Sequence, residues 1–354
     1  MHSYEFYIPA KVLFGIHRIK EIGRILKENS RGTRAALMCS SSEWMQPISS
    51  EIVQSIEGAG LEVCVRIDGI RANPSENQCR DALEKYVNGN ADILIAAGGG
   101  SCLDAAKWLA EKASPDFFIS IPTTAGTGGE INQWAVITDD DTHEKKSIQC
   151  RAADLAVLDP SVTFSLTPKL TLFSGMDAFS HGLEAMLSTA STAVTDALAF
   201  KGCTLAARNL EACLLNGKNA EARSALLEAS FLCGAAMLNA GLGILHCVSN
   251  ILPGIYPEYS HGFICGVLVP GVLEFNKPSV SPEKYNSLKP LVEKTADIFF
   301  RYAEEYKVKL PELSEIENSK LKTLVRYAAE NINGKTNPVP VTEEGIKDFL
   351  QRNF

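Results

Sequence analysis

Short apolar runs rich in β-branched and aromatic residues alternate with longer amphipathic stretches through the first half of the chain. The runs fall at Ala35–Cys39, Leu61–Ile67, Ile93–Ala97, Phe117–Ile121 and Trp134–Thr138, and each reads as a strand. Between them, Cys79, Ala82, Leu83, Tyr86 and Val87 recur at helical spacing and predict one buried helix face. Ile19, Ile22 and Leu26 mark another. Strands without polar alternation, separated by helices, predict an α/β layer with a mainly parallel sheet covered on both faces.

The pattern changes near Asp159–Pro168, where DPSVTFSLTP places two prolines and several hydroxyls. From Leu170 to Phe275 the stretches are long, Ala- and Leu-rich and helical, with Gly or Pro at the joints. Amphipathic stretches follow around Tyr285–Tyr306 and Glu315–Asn331, and a last helix is expected from the Thr342 region to near Arg352. The expected organisation is an α/β domain over residues 1–163 and an all-helical domain over residues 164–354.

Composition narrows the classes. A net charge of −8 on 354 residues, with no basic run interleaved with aromatics, argues against nucleic acid as a partner. No apolar run approaches the roughly 20 residues that cross a bilayer. The start, MHSYEFYIPAKVLFG, has no signal-peptide pattern. Ten cysteines lie scattered without metal-ligand spacing, as small apolar residues do in a reducing compartment. A cytoplasmic location is expected.

Chemistry concentrates in three places. After the strand DILIAA, Gly98, Gly99, Gly100 and Ser101 lead into the helical CLDAAKWLA, and Ser101 with Asp104 has capping-box spacing. Glycines at a strand-to-helix turn let a pyrophosphate approach the backbone and the open helix N-terminus. The turn lacks the GxGxxG fingerprint, and the same residues suit a tight turn with no ligand. A second loop, Pro122 to Glu130, holds Thr123, Thr124 and Thr127 among three glycines; it suits either a nucleotide edge or a plain surface connection. Third, Asp177 and His181 stand four apart on one helix, while His246 and His261 sit among small and apolar residues. One carboxylate and three imidazoles could hold Fe²⁺ or Zn²⁺. Each histidine taken singly also suits a satisfied core position, and spacing alone does not bring the segments together.

In combination, FYIPAKVLFG, GGGSCLDAAK, PTTAGTGGE, LDPSVTFSLTP, SGMDAFSHGLEA and the His-bearing segments ending in VLVPGVLEFN resemble the iron-containing alcohol dehydrogenase family, from about residue 5 to about residue 280. The resemblance implies a dinucleotide-binding α/β domain, a helical domain (the architecture shared with dehydroquinate synthase) and a catalytic divalent metal in the cleft between them. It further implies oxidation of alcohols or reduction of aldehydes and ketones with NAD(H) or NADP(H), usually in a homo-oligomer such as a dimer. Residue by residue, it assigns Asp177, His181, His246 and His261 as metal ligands. Gly98, Gly99, Gly100 and Ser101 match the pyrophosphate turn, Thr123, Thr124 and Thr127 the loop along the nucleotide, and Lys146 the lysine near the cofactor ribose. The implied metal is iron(II), with zinc as its main competitor.

This chain departs from the family in four ways. Asn250 stands where many members carry a histidine near the nicotinamide, and an amide cannot shuttle a proton at neutral pH. The segment from His246 to His261 is slightly longer than usual, and the helical region after it is shorter. Ser40, in Met38-Cys39-Ser40-Ser41-Ser42, stands at or beside a position where NAD-preferring relatives often carry Asp, which leans the expectation toward NADP(H) or dual use. The three serines equally suit a simple turn into the next helix. Two other functions fit the same scaffold: a lyase that uses NAD transiently, as dehydroquinate synthase does, and a nucleotide sensor without catalysis. The lyase would need more basic residues for a phosphorylated substrate than this chain offers; the sensor has no need of an intact ligand set.

Overall fold

The computed structural model describes residues 3–141, 145–256, 258–309, 312–313 and 316–354. The chain divides into two compact units. One runs over Ile8–Thr124 and Gly128–Ser165. The other is built on Leu166–Phe354, joined by the residues up to Tyr7 and by the short segment Ala125–Thr127.

Among its described residues the first unit contains eight strands: β1 (Lys11–Phe14), β2 (Arg34–Cys39), β3 (Glu62–Ile67), β4 (Ile93–Gly98), β5 (Phe117–Pro122), β6 (Trp134–Thr138), β7 (Lys145–Gln149) and β8 (Leu155–Leu158). Six form one sheet in the order β1-β8-β5-β4-β2-β3, and every pairing in it is parallel. Alternate residues of each strand enter opposite layers. Leu37, Ile95, Ile119 and Val157 pack with Ile19, Ile22, Leu26, Ile52 and Ile56. Ala36, Met38, Leu94 and Phe118 pack with Cys79, Ala82, Tyr86, Leu103 and Leu109. Burial on both faces is why these strands show no polar alternation.

Three sequence-based expectations need correction here. Trp134–Thr138 does not extend the parallel sheet; it pairs antiparallel with β7 in a separate two-stranded sheet. Its alternating exposure is that of a strand with one covered face. Strands β1, β7 and β8 add to the expected set. β1 and β8 are four residues long, β1 is a half-exposed edge strand, and β7 is the mostly polar KKSIQ, so none gives a strong apolar run. Val87 is 58% exposed although it continues the helical spacing of Cys79. At about 100° per residue it lies roughly 80° around the helix from Cys79, at the edge of the buried stripe.

The second unit is helical. Its long members are Pro168–Leu187, Ala193–Leu215, Ala220–Ala240, His261–Asn276, Pro282–Glu305, Asn318–Glu330 and Glu343–Asn353, with the short Ile244–Ser249 and Leu252–Ile255 between them. Hydroxyl and amide caps begin several of them: Thr167, Thr192, Asn219, Ser281 and Thr342 each accept a hydrogen bond from a first-turn N–H. Helix Asn318–Glu330 falls within the stretch expected from Glu315, a residue outside those described. Gly182 allows the first three helices to approach closely, since a Cβ there would lie 2.6 Å from the sulfurs of both Cys203 and Cys233. No single described helix is long and apolar enough to cross a membrane.

Candidate functional site

In the α/β unit, chain order reverses at the sheet centre. From β2 the chain moves outward to β3, then returns to β4 on the other side of β2 and continues to β5. The loops after β2 and β4 therefore diverge, which opens a crevice at the carboxyl ends of these strands. A cavity of about 240 Å³ occupies this place, lined by Cys39, Ser40, Trp44, Arg71 and the whole Gly98–Cys102 turn, among others. Ser40 thus shares a cavity with Gly98, Gly99, Gly100 and Ser101. Arg71, which the sequence reading did not single out, faces the same space. A wider concavity of about 870 Å³ adjoins it, shares Ile70, Arg71 and Ala72, and runs along helix Glu76–Asn88.

The predicted capping box does not form. Helix Gly100–Ala113 begins before Ser101, with Gly99 as its N-cap and no side chain closing its first turn. Ser101 Oγ instead accepts the N–H of Asn73 at 3.2 Å. The Asp104 carboxylate accepts the Val136 N–H at 3.1 Å and pairs with Lys107 at 2.9 Å, tying the helix to the β6–β7 hairpin. Asp104 is not among the cavity-lining residues. The helix thus presents first-turn N–H groups beside a cavity without a side-chain acceptor, an arrangement suited to an anion. Gly98 is required by packing: a Cβ there would sit 2.4 Å from Cys102 Cβ. Gly99 differs. Its backbone is ordinary and extended, and a Cβ would only touch Thr124 at 3.4 Å.

The Thr123 N–H donates to the Gly98 carbonyl at 2.9 Å, so the loops after β4 and β5 are held together. Thr127 falls in the segment Ala125–Thr127 that groups with the helices. Lys146 lies on β7 and pairs with Asp139 at 2.5 Å within the hairpin.

In the helical unit, Asp177, His181, His246 and His261 converge. Asp177 Oδ1 lies 3.2 Å from His261 Nε2, 3.8 Å from His181 Nε2 and 4.0 Å from His246 Nε2. The His181 and His246 rings stack with centroids 4.6 Å apart. Asp177 and His181 project from helix Pro168–Leu187, His246 from Ile244–Ser249, and His261 from the first residue of His261–Asn276.

Two outer contacts orient the imidazoles. The Glu184 carboxylate, one turn after His181, lies 2.7 Å from His246 Nδ1 and accepts the N–H groups of Gly243 and Leu245. It caps the short helix and receives the Nδ1–H, which turns the Nε2 lone pair inward. That Nε2 is buried and has no hydrogen-bond partner among the described residues. His261 Nδ1 likewise donates to the Ser249 carbonyl at 3.0 Å, which leaves Nε2 facing Asp177. Metal-holding histidines are oriented in this way. The sequence reading missed Glu184, although Asp177, His181 and Glu184 form one i, i+4, i+7 stripe. It also missed Cys265, whose thiol lies 3.7 Å from Asp177 Oδ1 and 3.6 Å from His261 Nε2.

The cluster is electrostatically tense. Burial drives the Asp177 carboxyl upward, but the imidazoles of His181 and His261 outweigh it and hold the group well below the usual carboxylate range. Burial, which Asp177 opposes and the neighbouring imidazoles reinforce, pushes His181 down to about 3. His261 rises to about 10 because Cys265 and Asp177 overcome its burial. His246 also rises against its burial, through Asp177, Cys265 and Glu184. The Cys265 thiol falls below its ordinary value because His261 and His246 overcome burial. Buried acidic groups thus favour the protonated imidazoles of His246 and His261, and a divalent cation would satisfy the same field by replacing those protons and taking the Nε2 lone pairs that they occupy. The donors and their spacing fit such an ion. His261, 28% exposed, forms the open side of an otherwise closed cluster.

Comparison with known proteins covers both units. The family model for iron-containing alcohol dehydrogenase matches residues 9–160, and that for the C-terminal region of the Fe-containing alcohol dehydrogenase family matches residues 171–354. The NAD-dependent methanol dehydrogenase of Bacillus methanolicus is 32% identical over 291 residues, covering 77% of this chain and 75% of that protein. Alcohol dehydrogenase 4 of Schizosaccharomyces pombe is 30% identical over 378 residues, covering 98% and 88%. A solved 1,3-propanediol oxidoreductase superposes over 100% of both chains with a TM-score of 0.91 at 26% identity. Matches of this extent leave one conclusion: the chain belongs to the iron-containing alcohol dehydrogenase family.

Proposed function

We propose that this chain is a metal-dependent, NAD(P)-linked alcohol dehydrogenase or aldehyde reductase acting on a small-molecule alcohol or carbonyl substrate. One observation carries the reading: Asp177, His181, His246 and His261 meet in the helical unit, with the Nε2 lone pairs of His246 and His261 turned inward by Glu184 and the Ser249 carbonyl. The relatives named methanol and alcohol dehydrogenases support it.

When bound, a divalent ion supplies Lewis acidity to the substrate oxygen, and the dinucleotide supplies or accepts hydride. The chain's own part is position. Asp177 contributes the negative charge, the three imidazoles contribute neutral donors, and Glu184 fixes one ring's tautomer. Burial of all but His261 keeps water from competing.

For the cofactor, Gly98, Gly99, Gly100 and Ser101 receive the pyrophosphate at the open helix end, flanked by Thr123 and Thr124. Thr127 and Lys146 enter by resemblance. Ser40 and Arg71, a hydroxyl and a guanidinium lining one cavity, suit a 2′-phosphate and support use of NADP(H) beside NAD(H). Ten cysteines without a disulfide fit a cytoplasmic enzyme, and a homo-oligomer enters by the family resemblance. The test is a panel of short aldehydes, diols and hydroxy acids, assayed with both cofactors on protein loaded anaerobically with Fe²⁺ and separately with Zn²⁺. Net turnover of NAD(P)H is expected. A loaded protein that leaves both cofactors unchanged across the panel would overturn the reading.

A further inference from the structure

We propose that the Cys265 thiolate is itself a metal ligand, which gives the centre a sulfur donor and a preference for zinc over iron(II). This rests on the metal-centre reading above and adds a residue that the resemblance does not assign.

The geometry is that of a coordination shell. One donor atom each from Asp177, His246, His261 and Cys265 lies within 4.8 Å of all the others. With Cys265 added to the four assigned ligands the shell has five protein donors, and bonds of about 2.0–2.1 Å to nitrogen or oxygen and about 2.3 Å to sulfur, at angles between about 90° and 109°, put neighbouring donors about 2.9–3.6 Å apart. The triangle of Asp177 Oδ1, His261 Nε2 and Cys265 Sγ has edges of 3.2, 3.6 and 3.7 Å. His246 Nε2 and His181 Nε2 stand 4.0 and 3.8 Å from the same Asp177 oxygen, and His246 Nε2 is a buried nitrogen with no hydrogen-bond partner among the described residues.

Placement on the helix explains why the sulfur reaches the site. Cys265 follows His261 by four residues on helix His261–Asn276, so both side chains lie on one face. Cys265 is fully buried, and the polar groups against its thiol, Asp177, His261 and His246, are all assigned ligands. On metal binding the thiol proton is released and the sulfur lone pair forms the bond. A thiolate among imidazoles suits zinc, which already binds such donors more tightly than iron(II).

The full-length protein, stripped with a chelator and reloaded, provides the test. Cobalt(II) loading is expected to give a near-ultraviolet sulfur-to-cobalt charge-transfer band besides the visible d–d bands. Cys265→Ser and Cys265→Ala should lose the first and keep the second. X-ray absorption of the zinc-loaded wild type should show a sulfur shell at about 2.3 Å. Anaerobic competition between equimolar Fe²⁺ and Zn²⁺ should yield zinc-rich wild type, with the ratio falling at least about tenfold in Cys265→Ser, the equivalent of losing one favourable donor. Metal bound with only nitrogen and oxygen neighbours, or a charge-transfer band that survives both substitutions, would overturn the thiolate ligand and leave the metal centre standing. Wild type that retains no cobalt, zinc or iron would overturn both.

Discussion

The two units assemble their chemistry by opposite means. The α/β unit makes its crevice from backbone: three glycines, an uncapped helix end and short hydroxyl side chains at the point where strand order reverses. The helical unit makes its centre from side chains on three helices, and the groups it buries together are ionisable. Two buried carboxyls show the contrast. Glu130, in the α/β unit, is pushed up to about 7 by its burial, against which its own backbone contact and Lys107 pull only weakly. Asp177 is equally buried, yet three imidazoles hold it ionised. Burial alone neutralises a carboxyl; burial among imidazoles creates a place for a cation.

Removing a first donor should give the largest effect. His261→Ala is expected to lower metal content after gel filtration to near zero and turnover by on the order of 10³-fold, since the metal contributes several kcal/mol. Full retention of metal would remove His261 from the ligand set.

Next comes the neutral carboxyl. Between its ordinary 4.5 and about 7, folded Glu130 keeps a proton that the unfolded chain gives up, so stability falls as pH rises through this window and levels off above it. Glu130→Gln should therefore be more stable than wild type by up to ~3 kcal/mol above pH 7, with no gain below 4.5. Urea unfolding at several pH values reads this directly. A gain independent of pH would show that Glu130 is ionised when folded.

Glu184→Gln probes the support of the centre. It should weaken metal retention about 10–100-fold against a chelator while the helices remain folded. Gly99→Ala tests the backbone site, because the fold has room for the methyl group. The cofactor KM should rise about tenfold, as for one lost hydrogen bond, with Tm almost unchanged. A fall in Tm together with an unchanged KM would make the turn structural. Smallest, Ser40→Asp should lower NADP(H) use relative to NAD(H) about fivefold, the size of a solvent-exposed charge repulsion near 1 kcal/mol.

The backbone site was the easier to read because it is contiguous. Gly98 to Ser101 stand together after an apolar run, so both the turn and the helix behind it show in one line of sequence. What stayed hidden was the helix start, one residue before Ser101, because three glycines offer no cap preference. The partners of Asp104 lie far along the chain. The proposed metal centre offered only the i, i+4 pair of Asp177 and His181, and no local rule says that helices beginning at Ile244 and His261 return to it. Glu184 was legible as the next member of that stripe. Cys265 was not, since a cysteine among apolar residues has the pattern of an ordinary core side chain. Strands β1 and β8 were too short and β7 too polar to rise above background, whereas the long amphipathic helices beyond Pro282 were plain from their period.

The open N-terminus of helix Gly100–Ala113 has one more consequence. Its glycine N-cap, Gly99, costs only a few tenths of a kcal/mol relative to a hydroxyl or carboxylate cap, and a pyrophosphate bound at the proposed site would satisfy the N–H groups that the glycine leaves open. Heat tolerance of the α/β unit then becomes a function of how much dinucleotide surrounds it, rising logarithmically once concentration exceeds Kd. A cell short of dinucleotide would hold a measurably softer enzyme.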